Sequence, residues 1–309
     1  MEEYLERFIT YLVVERNASP YTARNYRREV GEFLRFLKGE GISSLQEVDR
    51  RVLTRYLLWL NAGDYVKASV RRRISELRSF FKYLVRQKVL ESNPIEAISA
   101  PKVPQRLPRY LKPEEIGAIM QAPNTSQPLG QRDGAILEIL YATGVRVSEL
   151  AGLDLASLDR TKGEMRVRGK GGKERIVLLG EPALRALDLY LKEGRSRLLL
   201  TGSRGMGKKR SSALFLNRFG GRLSVRGIAW VLDRRAKEAG LSWVTPHLFR
   251  HTFATHMLGG GADLRVVQEL LGHASLSSTQ VYTHVSQRRA REVYMNSHPL
   301  ARESEAEGE

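Results

Sequence analysis

Apolar residues along the first hundred positions recur at three- and four-residue intervals, the spacing of one helical face. Leu5, Phe8, Ile9, Leu12 and Val13 form the first such set. Ser19 followed by Pro20 predicts an N-cap and a first helical position. The helix they open carries Tyr26, Val30, Phe33 and Leu37 on its apolar side until Gly39 and Gly41 stop it. Asp49 predicts the cap of a third helix holding Leu53, Tyr56, Leu57 and Leu60. A fourth carries Val70, Ile74, Leu77, Phe81 and Leu84 and ends before the ESNP sequence at 91–94. Four amphipathic helices with short connections predict a small helical bundle.

Proline then clusters at Pro94, Pro101, Pro104 and Pro108 with few apolar residues between them. Such spacing prevents a continuous helix and predicts an extended linker. The chain therefore divides into a helical unit over 1–98, a linker over 99–110, a second unit over 111–300, and an acidic tail over 301–309 expected to be disordered. In the second unit Pro113 with Glu114 and Glu115 suits a helix start. A helix through Ala135, Ile136, Ile139 and Leu140 should end at Thr143-Gly144. One β-hairpin is expected over 163–180, with Met165 and Val167 meeting Ile176 and Leu178 across a glycine-rich turn. Helical patterns return at Glu181–Glu193, at Val225–Ala239 and from Leu248 onward. The fold class is mainly α, with a small β-sheet or hairpin in the second unit.

Charge changes the picture. Across 309 residues, 51 Lys and Arg against 34 Asp and Glu leave a formal charge of +17, which favours a polyanionic partner through counterion release. An anionic membrane or a ribosome would attract the same surplus. On the fourth helix Lys67, Arg71, Arg78 and Lys82 fall within roughly 60° of one another on the helix wheel. They form a basic stripe opposite much of the apolar face, a candidate DNA-backbone contact whose plain alternative is a solvated surface. No apolar run approaches a membrane span, and the acidic start at Glu2, Glu3 and Glu6 does not suit a secretory leader. The absence of cysteine excludes disulfides, thiolate catalysis and cysteine-bound zinc. A cytoplasmic location with no membrane partner is the expectation.

Candidate chemistry gathers in the last third. His247 and Arg250 lie three residues apart on a helical pattern and so share a face, an imidazole beside a planar fork matched to phosphate oxygens. Asp263 predicts the cap of a helix that Gly272 terminates, leaving His273 just past its end. Tyr282 follows nine residues later; its hydroxyl, with a reference pKa of about 10, needs polarising neighbours before it attacks anything. Arg146 sits at the break after Thr143-Gly144, where it could equally pair with Glu149. Lys170 occupies the hairpin turn, with Lys173 as its rival. His247, His251 and His256 do not suggest a metal: Arg250 stands among them and the nearest acid is Asp263. The run GSRGMGK over 202–208 resembles a phosphate-binding loop, but Lys209 stands where a Ser or Thr is required. Arg146, Lys170, His247, Arg250, His273 and Tyr282 thus outline a phosphoryl-transfer site that uses neither metal nor cofactor.

These motifs, together with SPYTARNY, YATGVRVSEL, GKGGKER, LFLNRFGGRLSVRGI and SHPLA, resemble the tyrosine site-specific recombinases, and among them the Xer-type enzymes. The resemblance runs over nearly the whole length. It implies a C-shaped two-domain clamp around duplex DNA, an N-terminal helical bundle plus a catalytic domain. It also implies roles: Arg146 and Arg250 clamp the non-bridging oxygens of the scissile phosphate, and His247 and His273 bind that phosphate and assist proton transfer. Lys170 protonates the leaving 5′ hydroxyl, and Tyr282 is the nucleophile that forms a 3′-phosphotyrosyl bond. The implied activity is site-specific DNA breakage and rejoining, independent of metal and ATP, in resolution of chromosome or plasmid dimers at cell division. An integrase of a phage, transposon or integron shares that chemistry and is the alternative. The implied partners are double-stranded DNA with paired inverted half-sites, and the protein itself or a paralogous recombinase in a tetramer on two duplexes. A DNA translocase is a further candidate. The segment from Arg288 to Leu300 would dock into a neighbouring subunit. The long basic loop from Gly202 to Ser212 and the acidic tail depart from the family pattern.

Overall fold

The computed structural model describes residues 1–63, 65–96, 98–99, 101, 109–169, 172–202, 211–272 and 292–299. The chain forms two compact units, Met1–Leu107 and Pro108–Glu309.

The first unit contains α1 (Glu2–Val14), α2 (Pro20–Gly39), a 3-10 turn (Leu45–Glu47), α3 (Arg50–Ala62) and α4 (Lys67–Arg86). Capping fixes where these helices begin. Ser19 Oγ accepts from Thr22 N at 3.1 Å ahead of Pro20, and Asp49 Oδ1 accepts from Val52 N at 2.8 Å. Phe8, Phe33, Leu37, Phe80, Phe81 and Leu84 are fully buried between the helices. A polar seam interrupts this core between α2 and α4. Glu29 is buried and pairs with Arg28 and Arg72, while Arg73 pairs with Glu32 at 2.8 Å. Burial, and then the charge and hydrogen bond of Glu29 beside it, push the Glu76 carboxyl up to about 7. Of the basic stripe, Lys67, Arg71 and Lys82 are exposed. Arg78 differs: it is half-buried, and its Nη2 donates to the Ile98 carbonyl at 2.5 Å.

The second unit contains α5 (Pro113–Gln121), α6 (Pro128–Thr143), α7 (Val147–Ala151), β1 (Leu158–Asp159), β2 (Glu164–Arg168) and β3 (Glu174–Leu178). It continues with α8 (Glu181–Leu189), which passes through a π turn (Tyr190–Gly194) into α9 (Arg195–Gly202), then α10 (Val225–Glu238), α11 (Pro246–Gly259) and α12 (Leu264–Leu271). Helix α6 is its axis: it packs on α5, α8, α10 and α11, and its residues are buried almost all round. Even Asp133 is buried there, accepting from Arg132 and Arg235 at 2.6 Å each. The strands form an antiparallel sheet of order β1-β2-β3, one strand more than the hairpin expected.

The register also differs from the expected one. Met165 pairs with Val177 and Val167 with Arg175, so Ile176 and Leu178 are not their partners. Arg168 stands opposite Glu174, with five residues of sequence between them. That count moves β3 by one position, which exchanges its faces. Val177 is the buried residue of β3, and Arg175 shares its face. Helix α11 starts two residues before Leu248, because Thr245 Oγ1 accepts from Leu248 N at 3.3 Å and Pro246 takes the first position.

Residues 292–297 are helical and pack onto their own second unit. Tyr294 joins Phe253, Met257, Val267, Leu270 and Leu271 in a local core. His298, fully buried, places Nε2 3.2 Å from the Tyr141 carbonyl oxygen and its ring against Tyr141 and Tyr294.

Candidate active site

Two left-handed glycine corners build the site. Gly144 ends α6 at φ +57, with its N–H donating to the Leu140 carbonyl. A Cβ there would lie 2.5 Å from Phe253 Cδ1 and 2.9 Å from Leu271 Cδ2. Only glycine combines that φ with so close an approach of α11 and α12. Gly272 ends α12 in the same way at φ +68. Both corners leave carbonyl groups at helix ends, where a cation is favoured.

Arg250 takes that place. It projects from the second turn of α11 and is 9% exposed. Its Nη1 donates to the Gly144 carbonyl and its Nη2 to the Leu271 carbonyl, each at 2.7 Å. Burial, and then the neighbouring charges of Arg146 and Arg175, push its guanidinium down to about 10, with Glu149 opposing. It stays charged at neutral pH, although burial and two like charges oppose that state.

Arg146 follows the first corner as the N-cap of α7. Its backbone N–H donates to Glu149 Oε2 at 2.9 Å and its Nη1 to Glu149 Oε1 at 3.0 Å. Pairing with Glu149 is therefore present, but it does not bury Arg146, whose side chain is 40% exposed. Glu149 itself is buried and accepts a second arginine in a fork: Arg175 Nη1 and Nη2 reach its two oxygens at 2.9 Å each. Burial alone would raise the Glu149 carboxyl, but the hydrogen bonds from Arg175 and from the Arg146 backbone, with both positive charges, hold it below the usual range. Two guanidiniums share one carboxylate and a third, Arg250, rests on neutral carbonyls, an arrangement whose unmet charge suits a phosphodiester.

Of the six residues singled out in the sequence, Arg146, His247 and Arg250 are described. His247 stands exposed in the first turn of α11, one turn before Arg250. Lys170, His273 and Tyr282 lie outside the described residues; Gly169 and Gly272, which precede the first two in sequence, are at the site. A Cβ on Gly169 would lie 3.4 Å from Glu149 Oε1, and Gly272, next to His273, packs against Arg175. Sequence reasoning missed Arg175 and treated Glu149 only as an ion-pair partner. The available signal was the turn length, since pairing Arg168 with Glu174 turns Arg175 inward beside Val167. The third histidine weighed as a metal ligand, His256, shares a hydrogen bond of 2.9 Å between Nδ1 and Tyr141 Oη. Among the described residues no group of three or more His, Cys, Asp or Glu is placed to hold an ion, and no helix is long and apolar enough to cross a membrane.

Residues 109–289 match the phage integrase family, and residues 5–88 match the phage integrase N-terminal SAM-like domain. The tyrosine recombinase XerC of Pelotomaculum thermopropionicum is 44% identical over 308 residues, covering 98% of this chain and 100% of its own. The tyrosine recombinase XerC of Oceanobacillus iheyensis is 45% identical over 302 residues, 97% of each chain. Among solved structures, a lambda integrase tetramer bound to a Holliday junction superposes with a TM-score of 0.64 at 20% identity, over 92% of this chain and 79% of that one. At that identity the likeness concerns the fold.

Proposed function

The chain belongs to the phage integrase family, and we propose that it is a site-specific tyrosine recombinase whose paired arginines clamp the phosphate that its own tyrosine attacks. It breaks and rejoins DNA, and its full-length similarity to XerC recombinases favours the resolution of chromosome dimers at cell division over integration of a mobile element. The observation that carries the reading is the convergence of Arg146 and Arg250 at one corner, with Glu149 between Arg146 and Arg175 and charge left over for a phosphate.

In this reading Arg250, anchored on two helix-end carbonyls, and Arg146, open to solvent, hold the non-bridging oxygens. His247 approaches the same phosphate from the first turn of α11. Tyr282 Oη passes its proton to a base, with His273 assisting, and attacks phosphorus; the 3′-phosphotyrosyl bond forms as the bond to the 5′ oxygen breaks, and that oxygen leaves with a proton supplied by Lys170. The reverse step rejoins the strand and needs no nucleotide, because the phosphotyrosyl ester conserves the energy of the broken bond. Positive charge placed before the reaction stabilises the charge that develops on the transferring phosphoryl group. The net charge and the exposed Lys67, Arg71 and Lys82 suit duplex DNA. The lambda integrase tetramer bound to a Holliday junction, which shares the fold, supports a tetramer on two duplexes formed with the protein itself or a paralogue; a DNA translocase is a candidate activator and the cytoplasm the proposed compartment.

A nicked duplex that loses a short product strand on cleavage tests the reading. The wild-type protein should accumulate a covalent adduct, and Tyr282→Phe should form none. An adduct that survives in the Phe variant would reject Tyr282 as the nucleophile.

A further inference from the structure

A strand facing a protein core should present apolar side chains at alternate positions. β3 breaks that rule at Arg175, which stands opposite the fully buried Val167 and shares its face. Its side chain is only 8% exposed. A buried guanidinium is costly unless every donor finds a partner, and an apolar residue of the same volume would pack there at least as well. What the arginine adds is direction. Its fork fixes the plane of the Glu149 carboxylate through two bonds of 2.9 Å, and its Nε donates to the Leu270 carbonyl at 3.1 Å. One side chain thereby ties together β3, α7 and α12.

Each of those ties leads to the phosphate clamp. Glu149 holds both the backbone and the side chain of Arg146. Leu270 precedes Leu271, whose carbonyl receives Arg250, and the Gly272 corner lies against the Arg175 stem, where a Cβ would come within 3.2 Å of Cδ, Nε and Nη1. We propose that Arg175 is a positioning residue for strand cleavage: through Glu149 it aims Arg146 at the scissile phosphate, and through the end of α12 it sets the carbonyl on which Arg250 rests. This rests on the recombinase reading above. Arg175 touches no reacting atom; it determines where two groups that do so stand.

The test uses the full-length protein and a nicked duplex carrying a site selected from random DNA by the wild-type protein. Single-turnover cleavage is measured on the ordinary phosphodiester and on a duplex with a neutral methylphosphonate at the scissile position. Arg175→Met should slow cleavage of the phosphodiester by roughly 10- to 100-fold, the cost of a small misplacement in a positioned site, without changing affinity for DNA. The deficit should shrink on the methylphosphonate, where Arg146 has no anionic oxygen to neutralise. Arg175→Lys should recover part of the rate, and adding Arg175→Met to Arg146→Ala should cost less than Arg175→Met costs in the wild type, because only the route through α12 to Arg250 then remains. If circular dichroism shows Arg175→Met to be unfolded, Glu149→Gln/Arg175→Met removes both buried charges and should show the same loss. Wild-type rates in these variants, losses that multiply with Arg146→Ala, or an equal deficit on both substrates would overturn the inference. Failure of the wild-type protein to form any adduct would overturn the recombinase reading, and this inference with it; an adduct formed equally by wild type and Arg175→Met overturns the inference alone.

Discussion

Arg250 donates to the carbonyl oxygen of Gly144 from 2.7 Å and, with its other Nη, to Leu271 from the same distance. A single planar fork thus bridges the ends of α6 and α12. Lysine carries the charge but cannot hold two carbonyls and a phosphate in one plane. Arg250→Lys should therefore lower single-turnover cleavage by roughly 10²- to 10³-fold, the range seen when one stabiliser of transition-state charge is removed. Covalent adduct formed on a nicked duplex, measured against time, checks this. A Lys variant cleaving near the wild-type rate would mean that charge alone suffices.

The corner itself is equally restrictive. Gly144→Ala places a Cβ 2.5 Å from Phe253 at a φ of +57, combining backbone strain with overpacking. The expected cost is about 2–4 kcal/mol of stability, with loss of cleavage. Gly240→Ala is the control: its φ is +79, but nothing lies within 4 Å of the added carbon, so only the strain of about 1 kcal/mol remains. Thermal melting of the two variants should separate the corner from an ordinary left-handed glycine.

On α4, the exposed Lys67, Arg71 and Lys82 are free to meet phosphates, whereas Arg78 is engaged with the Ile98 carbonyl. Replacing any of the first three with alanine should reduce the slope of log affinity against log salt by about one for each phosphate no longer neutralised, whatever the DNA sequence. Arg78→Ala should leave that slope unchanged. Titrations at several salt concentrations decide, and an unaltered slope in all three variants would make the stripe a solvated face.

Helix ends were the most legible part of this chain because capping is local. Ser19-Pro20, Asp49, Gly144, Asp263 and Gly272 all stand at ends where their chemistry puts them. The pairing of β2 with β3 was less legible. Five turn residues containing three glycines admit more than one register, and a shift of one position exchanges the faces of β3. Arg175 was hidden by that shift, since in the other register it faces solvent. Glu149 was visible only as a neighbour in sequence; its second arginine comes from 26 residues away. The seam around Glu29 and Glu76 was invisible for a different reason: helical periodicity reports apolar residues, and a buried carboxyl leaves no trace in it.

Acid should weaken the second unit through His298. Burial pushes its imidazole down to about 4, with the Tyr141 carbonyl opposing and His256 assisting, against an ordinary value of about 6.5 in the unfolded chain. Below about 6.5 the unfolded state binds a proton that the folded state refuses, so stability present above that pH is lost as the pH falls toward 4. The loss amounts to at most about 3 kcal/mol. His298→Phe keeps a ring in place without a titrating group, and its urea midpoint should decline less between pH 7 and 4, as followed by Trp243 and Trp230 fluorescence.

Glu76 should act in the opposite direction on the first unit. Its carboxyl, buried beside Glu29 and raised to about 7 from 4.5, stays protonated in the fold at pH values where the unfolded chain has released the proton. A raised folded value means that its contribution is complete below about 4.5 and is lost as the pH climbs through 7. Arg28 and Arg72 reach the same seam, but both pair with Glu29 and are largely exposed, while Arg73 is held by Glu32. Little positive charge is therefore left to stabilise an ionised Glu76. Glu76→Gln retains a hydrogen-bonding group of the same size and abolishes the titration. At pH 8 it should be more stable than the wild type by about 1–3 kcal/mol, and near pH 4 it should show no advantage. Trp59, on α3 of this unit, reports its unfolding once Trp230 and Trp243 are replaced by Phe. An equal effect of Glu76→Gln at both pH values would show that packing, and not the proton, governs the seam.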